Sequence, residues 1–339
     1  MTFLQILWFV VIGILFAGFI FFEGFDFGIG MATRFFAVDD QERQQVLRSV
    51  APHWDGNEVW LITAGGAMFA SFPLWYASLF SGYYILLFLI LIALIFRGVS
   101  FEFGVHAQTK FERSTWLWAN FIGCLFAPFL LGMMLTSMIQ GVPMDAQGNV
   151  WAGFGVVVNW LSVVGGLAVT YLCFIHGLNY LSLKTKNDLH ARAMNMADKL
   201  YWLVYPVLVL FALLAIFQTD FFARHVISSS VILIVIVLLT VWGHISARFG
   251  HSGHAFLASG LSLILIMAFI FNGIFPRVMI ATQSKNDLLI HNASASPLTL
   301  DIMTGVLLVL LPIVLIYFAW SYWIQRRTKV DLANGSETY

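Results

Sequence analysis

Apolar stretches of about 20 residues, the length that spans ~30 Å of hydrocarbon at 1.5 Å per residue, recur from one end of this chain to the other. They fall near 3–30, 55–75, 79–106, 115–140, 152–183, 199–218, 226–247, 254–280 and 302–325. With 60% hydrophobic and only 10% charged residues, the chain lies outside the range of soluble globular domains. The fold class expected is an all-α polytopic membrane protein with about nine transmembrane helices. Several stretches exceed the minimum, which implies tilt or extension beyond the bilayer. The segments between them are too short for a soluble domain; the longest lie near 35–52, 184–198 and 281–301.

The first stretch has no basic n-region and no small-residue cleavage site, so it reads as a retained span. Of the 17 Lys and Arg residues, 14 belong to the ends after spans one, three, five and seven and to the C-terminal tail. The positive-inside rule then puts the N-terminus outside and the C-terminus, with Arg326, Arg327 and Lys329, in the cytoplasm. No basic block suggests nucleic acid. Cys124 and Cys173 fall inside predicted spans without metal-ligand spacing and read as buried inert thiols. "AVDDQERQQVLRSV" fits either a short amphipathic helix at the membrane surface or a solvated connector.

An ionisable group inside hydrocarbon costs several kcal/mol unless it is paired, protonated or hydrated. Such groups crowd into the first third of the chain. In "FFEGFDFGIG", Glu23 and Asp26 share a helix face, and Gly24 and Gly28 form a small-x-x-x-small pair that admits a neighbouring backbone. The pair is either a solvated helix end or two carboxylates packed against another helix, where close charges resist joint ionisation. In "HWDGNEVW", Asp55 and Glu58 again lie three apart, with Asn57 between them and Trp54 and Trp60 on either side. Asp55 fits a helix cap. Capping leaves Glu58 unexplained, and the two Trp residues fit an interfacial aromatic belt. In "IFRGVSFEFGVH", Arg97 and Glu102 lie about 140° apart around a helix and are expected to pair with other helices. All three clusters fall near the same membrane boundary, as a proton-conducting entrance would require. Of nine histidines only His176 and His244 fall inside spans; without paired spacing they read as hydrogen-bonded histidines rather than haem ligands.

The motifs "EGFDFGIGMATRF", "APHWDGNEVWLITAGGAMFASFP", "SGYY…FRGVSFEF", "FPRVM" and "LLPIVLIYFAWSYW" occur in order over almost the whole chain. In them the chain closely resembles subunit II of the cytochrome bd-type quinol oxidases, bacterial terminal oxidases. The resemblance implies two four-helix bundles, residues 1-140 and 152-280, a peripheral ninth helix at 302-325 and a cytoplasmic tail at 326-339. It implies a bacterial cell membrane and a heterodimer with a subunit I that carries haem b and haem d. The complex would oxidise quinol, reduce oxygen to water and draw protons from the cytoplasm. Asp55 would belong to the proton route and Trp60 to oxygen access from the lipid, with Glu23, Asp26 and Glu102 near the route. Glu58 stands where many relatives carry Gln, and Glu102 where they carry Asp. Some members of that family bind a structural quinone in this subunit, and the sequence leaves open both that quinone and a small accessory subunit. The competing readings are a proton-coupled transporter, which would need a substrate site near the midplane, and a purely structural partner subunit.

Overall fold

The computed structural model describes residues 1–325, so the tail at 326–339, with Arg326, Arg327 and Lys329, lies outside the described residues. The elements in order are α1 (Phe3–Phe35), α2 (Asp40–Arg48), α3 (Trp54–Ser71), α4 (Pro73–Gly82), α5 (Tyr84–His106), α6 (Lys110–Gln140), α7 (Phe154–Val157), α8 (Trp160–Lys184), α9 (Asn187–Gln218), α10 (Phe221–Arg248), α11 (Ser252–Ile274), α12 (Ile290–Ala293) and α13 (Pro297–Gln325). A two-stranded hairpin, β1 (Arg277–Met279) and β2 (Leu288–Leu289), lies between α11 and α12. Among the described residues, eight helices are long and apolar enough to cross a membrane: α1, α5, α6, α8, α9, α10, α11 and α13. α3 has 18 residues but falls short in apolarity, because Asp55, Asn57 and Glu58 occupy its first turns.

Local chemistry explains the helix starts. Thr2 with Gln5, Thr109 with Glu112 and Asn159 with Ser162 each form a reciprocal capping box at the head of α1, α6 and α8. Pro73 lacks an N–H and opens α4 one residue after α3 ends, so the interval read as two spans at 55–106 is three helices. The charged connector near 35–52 is the helix α2, and its Val46, with Val50 just beyond, is buried against the rest of the chain. Arg192 of α9 grips both oxygens of Glu42 at 2.6 and 3.2 Å, tying α2 to the second half of the chain. α9 itself starts at Asn187, twelve residues before the span expected from hydropathy, because its polar first turns still carry helical residues.

α8 packs against α1, α6, α9 and α11, while α9, α10 and α11 close a ring of neighbours with it. Glycine makes the central contact possible: a Cβ on Gly28 would lie 2.2 Å from the Cys173 carbonyl oxygen and 2.6 Å from the Gly177 Cα. The small-residue pair expected on α1 therefore meets the α8 backbone at Gly28, whereas Gly24 faces only side chains, with Leu263 and Cys173 at 3.3 and 3.4 Å from the place of a Cβ. α13 stands apart, with Leu300 its only fully buried residue.

At the end of the bundle opposite α2, the chain departs from the span expected at 254–280. α11 stops at Ile274 and the last residues of that stretch enter β1. Pro276 cannot continue the helix ladder, and the Arg277 side chain turns back to the last carbonyl oxygens of α11, at Gly273 and Ile274, and on to acidic side chains. Arg277, 2% exposed, donates to both carboxylate oxygens of Asp220 at 2.7 and 2.8 Å and lies 3.6 Å from Asp287. Removing one member of a buried pair strands the other, at a cost of about 3–5 kcal/mol. Asp220 is 36% exposed and Asp287 remains close, so Asp220→Asn should cost about 2 kcal/mol, read as a lower thermal midpoint of the solubilised protein. Arg224→Gln, which removes the more exposed partner of the same Asp220, should shift the midpoint by less than half as much.

Candidate functional site

Arg97, fully buried near the α2 end of the bundle, gathers the acidic residues of two other helices. From α1, Glu23 and Asp26 are both 0% exposed; Glu23 contacts Nη1 of Arg97, and Asp26 Oδ2 lies 3.3 Å from Nη2. From α3, Glu58, whose side chain is 24% exposed, lies 3.6 Å from Nη1. The rings of Phe27 and Phe101 flank the guanidinium at 5.4 and 5.7 Å. A solvated helix end at Glu23 and Asp26 is thereby excluded in favour of packed carboxylates. The helical rotation that turns Arg97 inward turns Glu102, five residues later, outward, where it is exposed and its carbonyl oxygen lies 2.9 Å from Nδ1 of His106.

Polar side chains continue the cluster on both sides. Asn57, buried on α3, donates through Nδ2 to Asp26 Oδ2 at 2.9 Å, and its Oδ1 accepts from the Tyr322 hydroxyl of α13 at 2.7 Å. On α6, Asn120 donates to Ser100 at 2.9 Å, and the Cys124 thiol faces the Asp26 carbonyl oxygen at 4.0 Å. Glu23 Oε2, Asp26 Oδ1 and Arg97 Nε are buried without a hydrogen-bond partner among the described residues. Three carboxyl groups against one guanidinium, with acceptor atoms to spare, is an arrangement able to take and hold protons.

Asp55 differs from these in place. α3 begins at Trp54 with His53 as its N-cap, so Asp55 is the second helical residue and not the cap expected from sequence. It is exposed, within electrostatic range of Glu102 and Arg97, so Asp55 and Glu102 mark an acidic strip on the outer face with Glu58 leading inward. Trp54 stacks on Phe101 at 5.0 Å and closes α3 on α5. Trp60 stacks on Phe22 at 5.4 Å, meets Phe318 edge-on and fills the space above Gly18. His53 lies flat on the Tyr322 ring, 4.1 Å between centroids. Burial, with the Lys184 charge nearby, pushes its pKa down to about 4, so the ring is neutral near pH 7.

Sequence reasoning missed Tyr322, Asn120 and His53. Nothing local marks them: Tyr322 lies 265 residues from the amide it touches. The two buried histidines in spans are engaged. His176 bonds Ser259 at 2.8 Å and the Phe21 carbonyl oxygen at 3.1 Å, and His244 sits between the Tyr205 hydroxyl at 2.8 Å and Asp198 at 3.2 Å. An apolar cavity among α6, α8, α9, α10 and α11 has a volume of about 30 Å³, an order of magnitude below a cofactor-sized pocket.

A family model described as "Cytochrome bd terminal oxidase subunit II" matches residues 4–325. The chain is 41% identical over 328 residues to the cytochrome bd ubiquinol oxidase subunit 2 of Bacillus subtilis, covering 96% of this chain and 97% of that one. It is 32% identical over 377 residues to the cytochrome bd-I ubiquinol oxidase subunit 2 of Escherichia coli K12, with 99% and 98% covered. Among solved structures, the bd oxidase of Geobacillus thermodenitrificans superposes with a TM-score of 0.72 at 18% identity, over 96% of this chain and 98% of that one, a likeness of fold.

Proposed function

The chain belongs to the cytochrome bd terminal oxidase subunit II family, and from that premise we propose that its buried Arg97 cluster stores and passes protons used in oxygen reduction. The protein is a multi-pass subunit of a bacterial quinol oxidase, a haem-containing complex with a subunit I and with quinol and oxygen as substrates. The haems supply electron transfer from quinol to oxygen, and in this proposal haem b and haem d both lie in subunit I.

The observation that carries the reading is the charge imbalance around Arg97: Glu23, Asp26 and Glu58 face a single guanidinium in a space from which water is largely excluded. Asp55 and Glu102, on the exposed face, exchange protons at the surface where subunit I docks. Glu58, one turn from Asp55 on α3, hands them to the buried pair. Arg97 holds both acceptors in place and moderates the charge each proton leaves behind. The N-terminus lies outside and the α2 end faces the cytoplasm, which makes the cluster a cytoplasmic proton inlet; the lopsided distribution of Lys and Arg supports this orientation. Trp60, wedged between Phe22 and Phe318 beside lipid-exposed α13, borders the oxygen entry. Two four-helix units, 1–140 and 152–280, with 302–325 peripheral, complete the proposal; the ring of α8 to α11 and the exposure of α13 support it.

Asp26→Asn keeps the shape and the Asn57 contact but removes the exchangeable proton. Quinol-driven oxygen uptake by the purified complex should fall at least about tenfold, the modest side of what a positioned proton-transfer group contributes, with the haem absorption bands unchanged. Wild-type uptake in that variant overturns the proposal.

A further inference from the structure

We infer that Tyr322, on the peripheral helix α13, is a positioning residue for the proton site: its hydroxyl holds the Asn57 amide with the NH2 end turned onto Asp26. The inference rests on the proton-storage reading of the Arg97 cluster and deepens it. α13 hardly packs on the bundle. Its described residues include one fully buried side chain, Leu300, and its long apolar run is exposed. Yet in its last turns this helix reaches through the aromatic layer of Phe22 and Phe318 and delivers a hydroxyl to the buried side of Asn57.

A carboxamide has two ends of nearly equal size, and only its partners decide which end faces which. Here the Asn57 NH2 donates to Asp26 Oδ2 at 2.9 Å and points to the Phe22 carbonyl oxygen at 3.5 Å, while the carbonyl end accepts from Tyr322 at 2.7 Å. Tyr322 is the donor that makes this orientation the satisfied one. Without it the Asn57 carbonyl oxygen loses its donor, and the amide is held only by the acceptors on its NH2 side, Asp26 and the Phe22 carbonyl oxygen, so its hold on the Asp26 carboxyl loosens. The tyrosine ring is itself fixed, stacked within 5° of parallel on His53. The end of α13 is anchored beside it by Lys184 Nζ, which donates to the Gln325 carbonyl oxygen at 2.9 Å. The hydroxyl therefore holds a set position relative to α3. A peripheral helix thus sets the hydrogen bonding of a group on α1 through a residue on α3.

The test uses the intact oxidase complex carrying Tyr322→Phe, with Leu307→Ala, at a side chain of the same helix packed on the core, as a packing control. Haem content and subunit ratio should match the wild type in both. In Tyr322→Phe the midpoint of the pH profile of oxygen uptake should move by up to about one pH unit, the effect of weakening the one hydrogen bond that Asn57 donates to the Asp26 carboxyl. The carboxyl band that Asp26→Asn removes from the infrared difference spectrum should shift as well. Leu307→Ala should leave both unchanged. If Tyr322→Phe fails to assemble, a ring-fluorinated tyrosine at position 322 keeps the shape, alters only the donor strength, and should still move the band. An unmoved pH profile and band in the Tyr322 variants, with Asp26→Asn impaired, overturns the positioning role. Wild-type turnover in Asp26→Asn instead overturns the proton-site reading on which it rests.

Discussion

Arg97→Met is expected to prevent the subunit from accumulating in the complex. The side chain is fully buried and is the cation that Glu23, Asp26 and Glu58 share. Methionine fills similar volume but leaves two fully buried carboxyl groups without a counter-charge, and breaking a buried ion pair in this way costs about 3–5 kcal/mol, a large share of the stability of most domains. Arg97→Lys should be intermediate: the charge remains, but an ammonium lacks the planar fork that reaches two carboxylates at once. The decisive variant is the quadruple replacement Glu23→Gln, Asp26→Asn, Glu58→Gln, Arg97→Met, in which no charge is stranded. It should assemble again while failing to turn over, because a neutral packed cluster is structurally tolerated but holds no exchangeable proton. The measurement is the subunit ratio and thermal midpoint of the purified complex, followed by oxygen uptake. Normal assembly of Arg97→Met alone would show that the carboxyl groups do not depend on it.

The second large effect is expected from Asp55→Asn, and it should have the opposite profile. Asp55 is exposed in this chain, caps nothing and makes no ion pair among the described residues, so its loss should leave assembly and haem bands intact. As the surface acid one turn from Glu58 on the same helix, however, it is the main donor of protons to Glu58 in the proposed inlet. Oxygen uptake should fall by at least about tenfold near neutral pH, the lower side of the range for a positioned proton-transfer group. Asp55→Glu, which keeps an exchangeable proton within reach, should recover most of it. Glu102→Gln, on the same exposed strip but farther from Glu58 along a different helix, should cost less. Wild-type uptake by Asp55→Asn would remove this residue from the route and leave the buried cluster fed from elsewhere.

Much of this protein was readable before any coordinates. A helix in hydrocarbon must satisfy its own backbone and present apolar side chains to lipid, so hydropathy alone locates most of the membrane helices. Boundaries were less legible wherever the rule for continuing a helix is broken by one residue, as at Pro73, or where polar turns extend a helix beyond the apolar run, as at Asn187. The hairpin that carries Arg277 reads as helix from sequence because Val278, Met279 and Ile280 are as apolar as any span, yet they are buried against protein instead of lipid.

For the candidate site, the sequence determined which residues are expensive to bury: Glu23, Asp26, Glu58 and Arg97 announce themselves because a charge in an oily segment needs a reason. It also placed Arg97 and Glu102 on different sides of one helix, a matter of 100° per residue. Pairing is another kind of fact. That Arg97 meets α1 and α3, that Asp55 stays outside while Asp26 is sealed, and that Tyr322 orients an amide 265 residues away all follow from how the helices cross. Helix crossing is decided by the fit of surfaces, as where Gly28 and Gly177 let α1 and α8 touch backbone to backbone. Burial cost is a property of one side chain and its local segment, so the chain states it in one dimension; a partner belongs to two segments, and only their packing brings it within reach.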